Sequence, residues 1–307
     1  MRARLVILLV ALAAVVVAVA ITRLVAGAPT SLPSVSASYL GVYEKGPPAT
    51  YQPVTTFMGK IAKQPNLVGY YSGWGEPFKT SFAETVHQHG AVTILQMDPS
   101  WASVSSIAAG KYDPYLRSFA RSVRTFGQPV VIGFGHEMNG YWYSWGYGHA
   151  APSEFVAAWR HIVTLFQHQG VTNVTWLWTL QADEAGTGPI ASWWPGAQYV
   201  TWVGIDGYYY RPSDTFFSIF GKTIAQVRML TTKPVLVSET AVEPEAGQAA
   251  KIANLFAGIR QYDLLGLVWF DIAQHNGLYH QNWRIEDSPA AQTAFKRGAS
   301  TLTLGSP

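Results

Sequence analysis

The chain has 307 residues, of which 49% are hydrophobic and 13% charged, and it contains no cysteine. This composition excludes a disordered chain, a disulfide framework, a thiolate nucleophile and a cysteine-based zinc site. The formal charge of +3 comes from Arg2, Arg4 and Arg23, ahead of the folded part; the rest of the 21 basic residues balance the 18 acidic ones, leaving no electrostatic footprint for nucleic acid.

The basic stretch Met1–Arg4 leads into an unbroken apolar run, Leu5–Ile21. A cleaved signal has an apolar core of about 7–15 residues, and a spanning helix needs about 20; this run lies between. Ala26-Gly27-Ala28 offers small residues for cleavage, but Pro29 directly after them is unfavourable. Residues 1–28 are therefore read as a signal-anchor, with a cleaved signal peptide as the alternative. Arg2 and Arg4 keep the N-terminus cytoplasmic, and either way the body is extracytoplasmic, anchored or secreted. Residues 29–38, rich in Ser and Pro, read as a linker, and residues 39–302 as one domain.

Beyond the linker, short apolar runs alternate with helical patterns. The expected strands are Tyr39–Tyr43, Leu67–Ser72, Ala91–Met97, Val130–Gly135, Val174–Leu180, Tyr199–Ile205, Pro234–Ser238 and Gly266–Phe270. Helical spacing marks Thr50–Lys63, Phe78–His89, Tyr112–Phe126, Pro152–His168, Asp214–Leu230, Glu245–Tyr262 and Ser288–Arg297. Pro152-Ser153-Glu154 reads as a helix start and Gly170 as a stop; Gln181–Gln198 carries no convincing helix. Strands alternating with helices call for a parallel sheet, and eight units make a (β/α)8 TIM barrel the best account. An open doubly wound sheet is the alternative, but no glycine-rich nucleotide motif favours it.

In such a barrel, chemistry sits at the C-terminal strand ends. Those ends carry Glu44, Trp74, Gln96 with Asp98, His136 with Glu137, Trp178 with Gln181, Asp206 with Tyr208, Glu239, and Trp269 with Asp271. The richest is Pro129–His149, where a buried strand runs into His136-Glu137, Asn139-Gly140 and a loop dense in Tyr and Trp. A carboxyl at the end of an apolar strand, ringed by indoles, is held towards its protonated form. The plain alternative is a strand-end Glu paired to a cation, beside aromatics that only pack.

Two carboxyls flanking a glycosidic bond, Glu137 and Glu239, suffice for hydrolysis; a separation of about 5–5.5 Å implies retention and about 6.5–9.5 Å inversion. Asp98, Asp206 and Asp271 read more readily as structural acids bonding loop amides; His136, otherwise a satisfied core histidine, reads through its adjacency to Glu137 as a substrate or carboxylate contact. A metal reading fails on spacing, since the position four after His136 is Gly140. A serine elbow is also missing.

His136-Glu137-Met138-Asn139-Gly140, followed by Trp142 and Trp145-Gly146, resembles the acid/base signature of glycoside hydrolase family 26. That family includes β-mannanases, with some members acting on mixed-linkage β-glucan or β-1,3-xylan. Further matches are Gln96-Met97-Asp98-Pro99, Trp194-Pro195-Gly196 leading to Trp202–Tyr208, and Ser238-Glu239-Thr240, so the resemblance covers roughly residues 39–300. It implies a barrel with a retaining mechanism, Glu137 as acid/base and Glu239 as nucleophile. His136 and Trp142 would shape the subsite of the glycosyl intermediate, Tyr208 would hydrogen-bond the nucleophile, and Trp269 would be the sugar platform. Trp145, Asp98 and Gln181 complete the implied substrate-binding set.

Two positions depart from the family pattern. Gly133 stands where members commonly carry Arg, and Gln181 where many have Asn. The expectation is an exported, monomeric, retaining endo-β-glycosidase with no metal or cofactor. Its substrate would be a β-linked polysaccharide, β-mannan first, then β-1,3/1,4-glucan or xylan. The alternative from another class is a non-catalytic polysaccharide-binding barrel at the cell surface.

Overall fold

The computed structural model describes residues 32–244, 246–273 and 281–305. Eight parallel strands close on themselves in sequence order. They are β1 (Tyr39–Glu44), β2 (Leu67–Gly73), β3 (Val92–Asp98), β4 (Val130–Phe134), β5 (Val174–Gln181), β6 (Trp202–Asp206), β7 (Val235–Thr240) and β8 (Gly266–Asp271). The helices around them are α1 (Gln52–Ile61), α2 (Thr80–Gln88), α3 (Val104–Ala108), α4 (Asp113–Phe126), α5 (Pro152–His168), α6 (Lys222–Leu230), α7 (Gln248–Gln261) and α8 (Pro289–Ser300). This is the expected (β/α)8 barrel.

Local chemistry accounts for most boundaries. In α4, Leu116, Phe119, Ala120 and Val123 repeat at helical spacing and are buried, and Gly127 ends the helix with a left-handed φ of 72°. Helix α5 starts at Pro152, where a missing N–H costs nothing, and buries Phe155, Trp159, Ile162 and Phe166. Between β5 and β6 the chain makes two short 3-10 turns, Ile190–Trp193 and Ala197–Tyr199, so β6 starts at Trp202 rather than Tyr199. The helix expected from Asp214 begins instead as a π-turn, Phe217–Gly221, before α6. Helix α3 had no clear signal in the sequence. Glu245, the expected start of the helix after β7, lies outside the described residues, as does Leu5–Ile21. Among the described residues, no helix is long and apolar enough to cross a membrane.

The segment read as a linker is partly docked. Leu32 is buried, its amide donates to Thr175 Oγ1 at 3.3 Å, and Tyr39 Oη donates to the Pro33 carbonyl at 2.7 Å.

One irregularity positions the site. On β7, Val237 is paired with Ile205 but Glu239 with Asp206, and on the other side Val237 pairs with Leu267 but Thr240 with Trp269. The strand therefore carries one extra residue at Ser238-Glu239. Such bulges re-aim a side chain, and this one leaves Glu239 at the mouth.

Candidate active site

Strand β4 ends in a kink. Gly135 and Glu137 both adopt left-handed backbone, with φ of 55° and 53°. A glutamate in that region is strained by about 1–3 kcal/mol and persists only where its surroundings fix it. Here they do: the Glu137 amide donates to the Thr179 carbonyl on β5 at 3.0 Å, and the Gly140 amide donates back to the Glu137 carbonyl at 2.8 Å. The Trp142 ring folds over Gly140, so closely that a Cβ there would stand 2.3 Å from it. From that position Trp142 Nε1 donates to Glu137 Oε2 at 2.6 Å.

Glu239 receives two tyrosine hydroxyls. Tyr71, near the end of β2, donates to Oε1, and Tyr208, just past β6, donates to Oε2 at 2.7 Å. Beside them lies Asp206, fully buried, its Oδ1 accepting from the Ser238 hydroxyl. Carboxylate oxygens of Glu137, Asp206 and Glu239 lie within 4.8 Å of one another.

Burial and mutual repulsion set the protonation of these three acids. Burial raises Glu137, the nearby His136 pulls it down, Glu239 pushes it up and the Trp142 hydrogen bond lowers it, leaving it at about 7. Glu239 is also raised by burial, but His136 and the two tyrosine hydroxyls favour its ionised form. Asp206 is pushed well above the usual carboxylate range by burial and then by Glu239 and Glu137. His136 is the counterpart: burial disfavours its charge, yet Asp98, Glu137 and Glu239 outweigh burial and raise it to about 10. The imidazolium donates from Nδ1 to Asp98 Oδ1 at 2.8 Å and from Nε2 to Tyr143 Oη at 3.1 Å.

The oxygens of this trio have spacing compatible with a cation, but Trp142, Tyr71, Tyr208 and Ser238 already donate to them. A charged His136 beside them adds repulsion. The arrangement is suited to proton transfer and to attack by a carboxylate.

Position 133 has a local explanation. Gln96 and Gly133 are register partners on β3 and β4, and a Cβ on Gly133 would stand 1.8 Å from Gln96 Oε1. The glutamine side chain occupies the space next to residue 133 and is anchored through Nε2 to Thr179 Oγ1 at 3.0 Å. At the end of β5, Gln181 is a positioning residue. Its backbone exchanges two hydrogen bonds with the Asn139 side chain, at 2.8 and 2.9 Å, and its own amide donates to Glu184 Oε1 at 2.7 Å.

Two expected substrate contacts require correction. Trp269 is 0% exposed and packs edge-on against Phe295 of α8 at 5.2 Å, on the outer face of β8. The inward residue at that strand end is Phe270, beside Tyr43 and Tyr208. Trp269 is thus wall, not sugar platform. Trp145 is buried beneath Tyr143, stacked on it at 4.3 Å, and donates to the His136 carbonyl at 2.9 Å. It supports the floor without facing the mouth. Tyr71 and Phe270 were not singled out in the sequence, because both faces of a parallel barrel strand are buried and alternation does not mark the inward one.

Asp271 stands apart from this centre. With Glu44 and Glu286 it forms a second group of acids, whose oxygens lie within 4.8 Å of one another. Burial and then the two neighbours push Asp271 up to about 10, and burial raises Glu44 to about 8.

The family model described as Glycosyl hydrolase family 26 matches residues 116–283. The chain is similar to Endoglucanase H of Acetivibrio thermocellus, 26% identical over 264 residues that cover 79% of this chain and 28% of that relative. It is also similar to a β-1,3-xylanase of a Vibrio species, 23% identical over 176 residues, covering 57% of this chain and 36% of that protein. The chain spans about a third of the length of these curated relatives. Among solved structures, the catalytic domain of the GH26 endo-β-1,4-mannanase of Bacillus sp. JAMB-750 superposes with a TM-score of 0.66 at 16% identity, covering 87% of each chain. At that identity the likeness is one of fold.

Proposed function

The chain belongs to glycosyl hydrolase family 26, and from that premise we propose that it is an exported retaining endo-β-glycosidase acting on a β-linked polysaccharide, β-mannan first. The carrying observation is the approach of Glu137 and Glu239 across one barrel mouth, with oxygens within 4.8 Å. Retaining enzymes hold their carboxyls about 5–5.5 Å apart, whereas inverting ones leave about 6.5–9.5 Å for a water.

In this reading the roles follow from the hydrogen bonds. Glu137, raised to about 7, retains a proton near neutral pH and gives it to the glycosidic oxygen. Glu239, oriented by Tyr71 and Tyr208, attacks the anomeric carbon and forms a glycosyl ester. Glu137, now ionised, takes a proton from water, which opens the ester with a second inversion. The His136 imidazolium limits the accumulated negative charge, and the Trp142 ring, 37% exposed, offers an apolar face for a sugar beside the acid.

Several observations support turnover over binding alone. Gln96 fills the space beside residue 133, and both glutamates keep dedicated donors. The names of similar proteins support the substrate class: an endo-1,4-β-mannosidase is 30% identical over 84 residues, a quarter of this chain. Endoglucanase H and the β-1,3-xylanase add β-glucan and β-1,3-xylan to it. Export rests on the sequence of Leu5–Ile21; an anchor predicts that the protein stays with membranes through high-salt washing, and a soluble protein beginning near Pro29 would show a cleaved signal instead.

The deciding experiment incubates the protein with β-mannan, mixed-linkage β-glucan and β-1,3-xylan, following chain length and product anomer. Rapid shortening of mannan with β-configured first products is expected. No cleavage of any of the three polymers, or α-configured first products, would contradict the reading.

A further inference from the structure

The barrel closes where β1 meets β8, and there Glu44 and Asp271 are register partners, each the last residue of its strand. The 3-10 turn Ile285–Asp287 brings Glu286 to the same point. One oxygen from each of the three acids lies within 4.8 Å of the other two. The group reaches from the interior towards the surface: Asp271 is 1% exposed, the Glu286 side chain 10%, and Glu44 is partly exposed.

Asp271 is fixed on one side only. Its Oδ1 accepts from Trp269 Nε1 at 3.0 Å and from the Ile285 amide at 2.7 Å. Its Oδ2 is buried and, among the described residues, meets no hydrogen-bond donor; the same holds for Glu44 Oε1. Arg284 Nε, on a side chain 45% exposed, pairs with Glu286 Oε2 at 3.5 Å. A buried carboxyl oxygen left without a partner is costly. In the catalytic trio, indole, phenol and hydroxyl donors serve Glu137, Glu239 and Oδ1 of Asp206, and Asp206 Oδ2 alone is buried without a partner.

We infer that Glu44, Asp271 and Glu286 form a calcium-type cation site that ties β1 to β8 and to the turn leading into α8. The donors are all hard oxygens, and among the described residues no histidine joins them to favour zinc or copper. Calcium binds oxygen at about 2.3–2.6 Å, so oxygens around one ion stand up to about 5 Å apart, in keeping with this spacing. Linear spacing hid the site, since its residues lie far apart in the chain. The ion would staple the first strand to the last, which is a structural role separate from the chemistry at the mouth.

Terbium, a calcium mimic, tests this on the full chain stripped with chelator, because the Trp269 indole bonded to Asp271 would sensitise its emission. Expected is saturable emission that calcium displaces and that survives Glu239→Gln. In Glu44→Gln it should weaken about tenfold or more. Calcium at about 100 times its Kd should raise Tm by about 5 °C in the unaltered protein and not in Glu44→Gln. Glu286→Gln serves the same purpose if Glu44→Gln does not fold. Emission that disappears in Glu239→Gln but persists in Glu44→Gln would place the ion at the catalytic trio and overturn the inference. No emission and no calcium-dependent Tm shift would mean that the trio shares protons instead, and would overturn it equally.

Discussion

Replacing Trp142 with Phe should raise the pH at which activity is lost on the alkaline side. Trp142 Nε1 donates to Glu137 Oε2 at 2.6 Å, a bond that favours the ionised carboxylate. Without it the proton is held more tightly, so the folded pKa, now about 7, moves up. A hydrogen bond to a charged group contributes about 1.5–3 kcal/mol, and each pH unit corresponds to about 1.4 kcal/mol. Trp142 is 37% exposed, so water takes over part of the bond, and the expected displacement is about one pH unit. The phenyl ring keeps the apolar face, so KM should change little. The assay is kcat/KM for a β-linked oligosaccharide across pH, which reports free-enzyme groups. An alkaline limb that stays in place or moves down would refute the assignment of Glu137 as the acid.

Other changes probe the surrounding partners. Tyr71→Phe removes one hydroxyl from Glu239, so the acid limb should move up and kcat fall about 10–100-fold, readable in the same pH profile. Asp98→Asn removes the carboxylate that holds the His136 imidazolium and should destabilise the fold by roughly 3 kcal/mol at neutral pH. Because the folded pKa of His136 is raised to about 10, that stabilisation is complete below its unfolded pKa and fades as pH rises through 10. Denaturant titrations at pH 7 and 10 should therefore show a smaller mutant penalty at the higher pH. Gly133→Ala places a Cβ against Gln96 Oε1 and should destabilise by about 1–3 kcal/mol; Gln96→Ala in the same chain should restore most of that loss, measured by Tm.

The barrel was legible because alternation of apolar runs and helical patterns is a global signal that survives local errors. Glu137 and Glu239 were legible because each ends a strongly apolar strand. Side-chain facing was harder. Parallel barrel strands are buried on both faces, so the sequence does not say which of Tyr70 and Tyr71, or of Trp269 and Phe270, points inward. That ambiguity put Trp269 at the mouth, whereas the structure puts it against Phe295, and it hid Tyr71. The bulge at Ser238-Glu239 has no sequence signature, yet it determines how Glu239 is aimed. Gly133 read as a loss until the register placed Gln96 over it. The acids Glu44, Asp271 and Glu286 meet only through closure of the barrel.

The central claim is the division of labour between the two glutamates, and azide rescue tests it most directly. With an activated β-aryl glycoside, Glu137→Ala should form the glycosyl ester on Glu239 and then stall, and azide should open it to a β-glycosyl azide. Glu239→Ala forms no ester, so azide should attack the substrate itself and give the α-azide. Opposite anomers from the two variants are the predicted result; the same anomer from both would contradict the assignment.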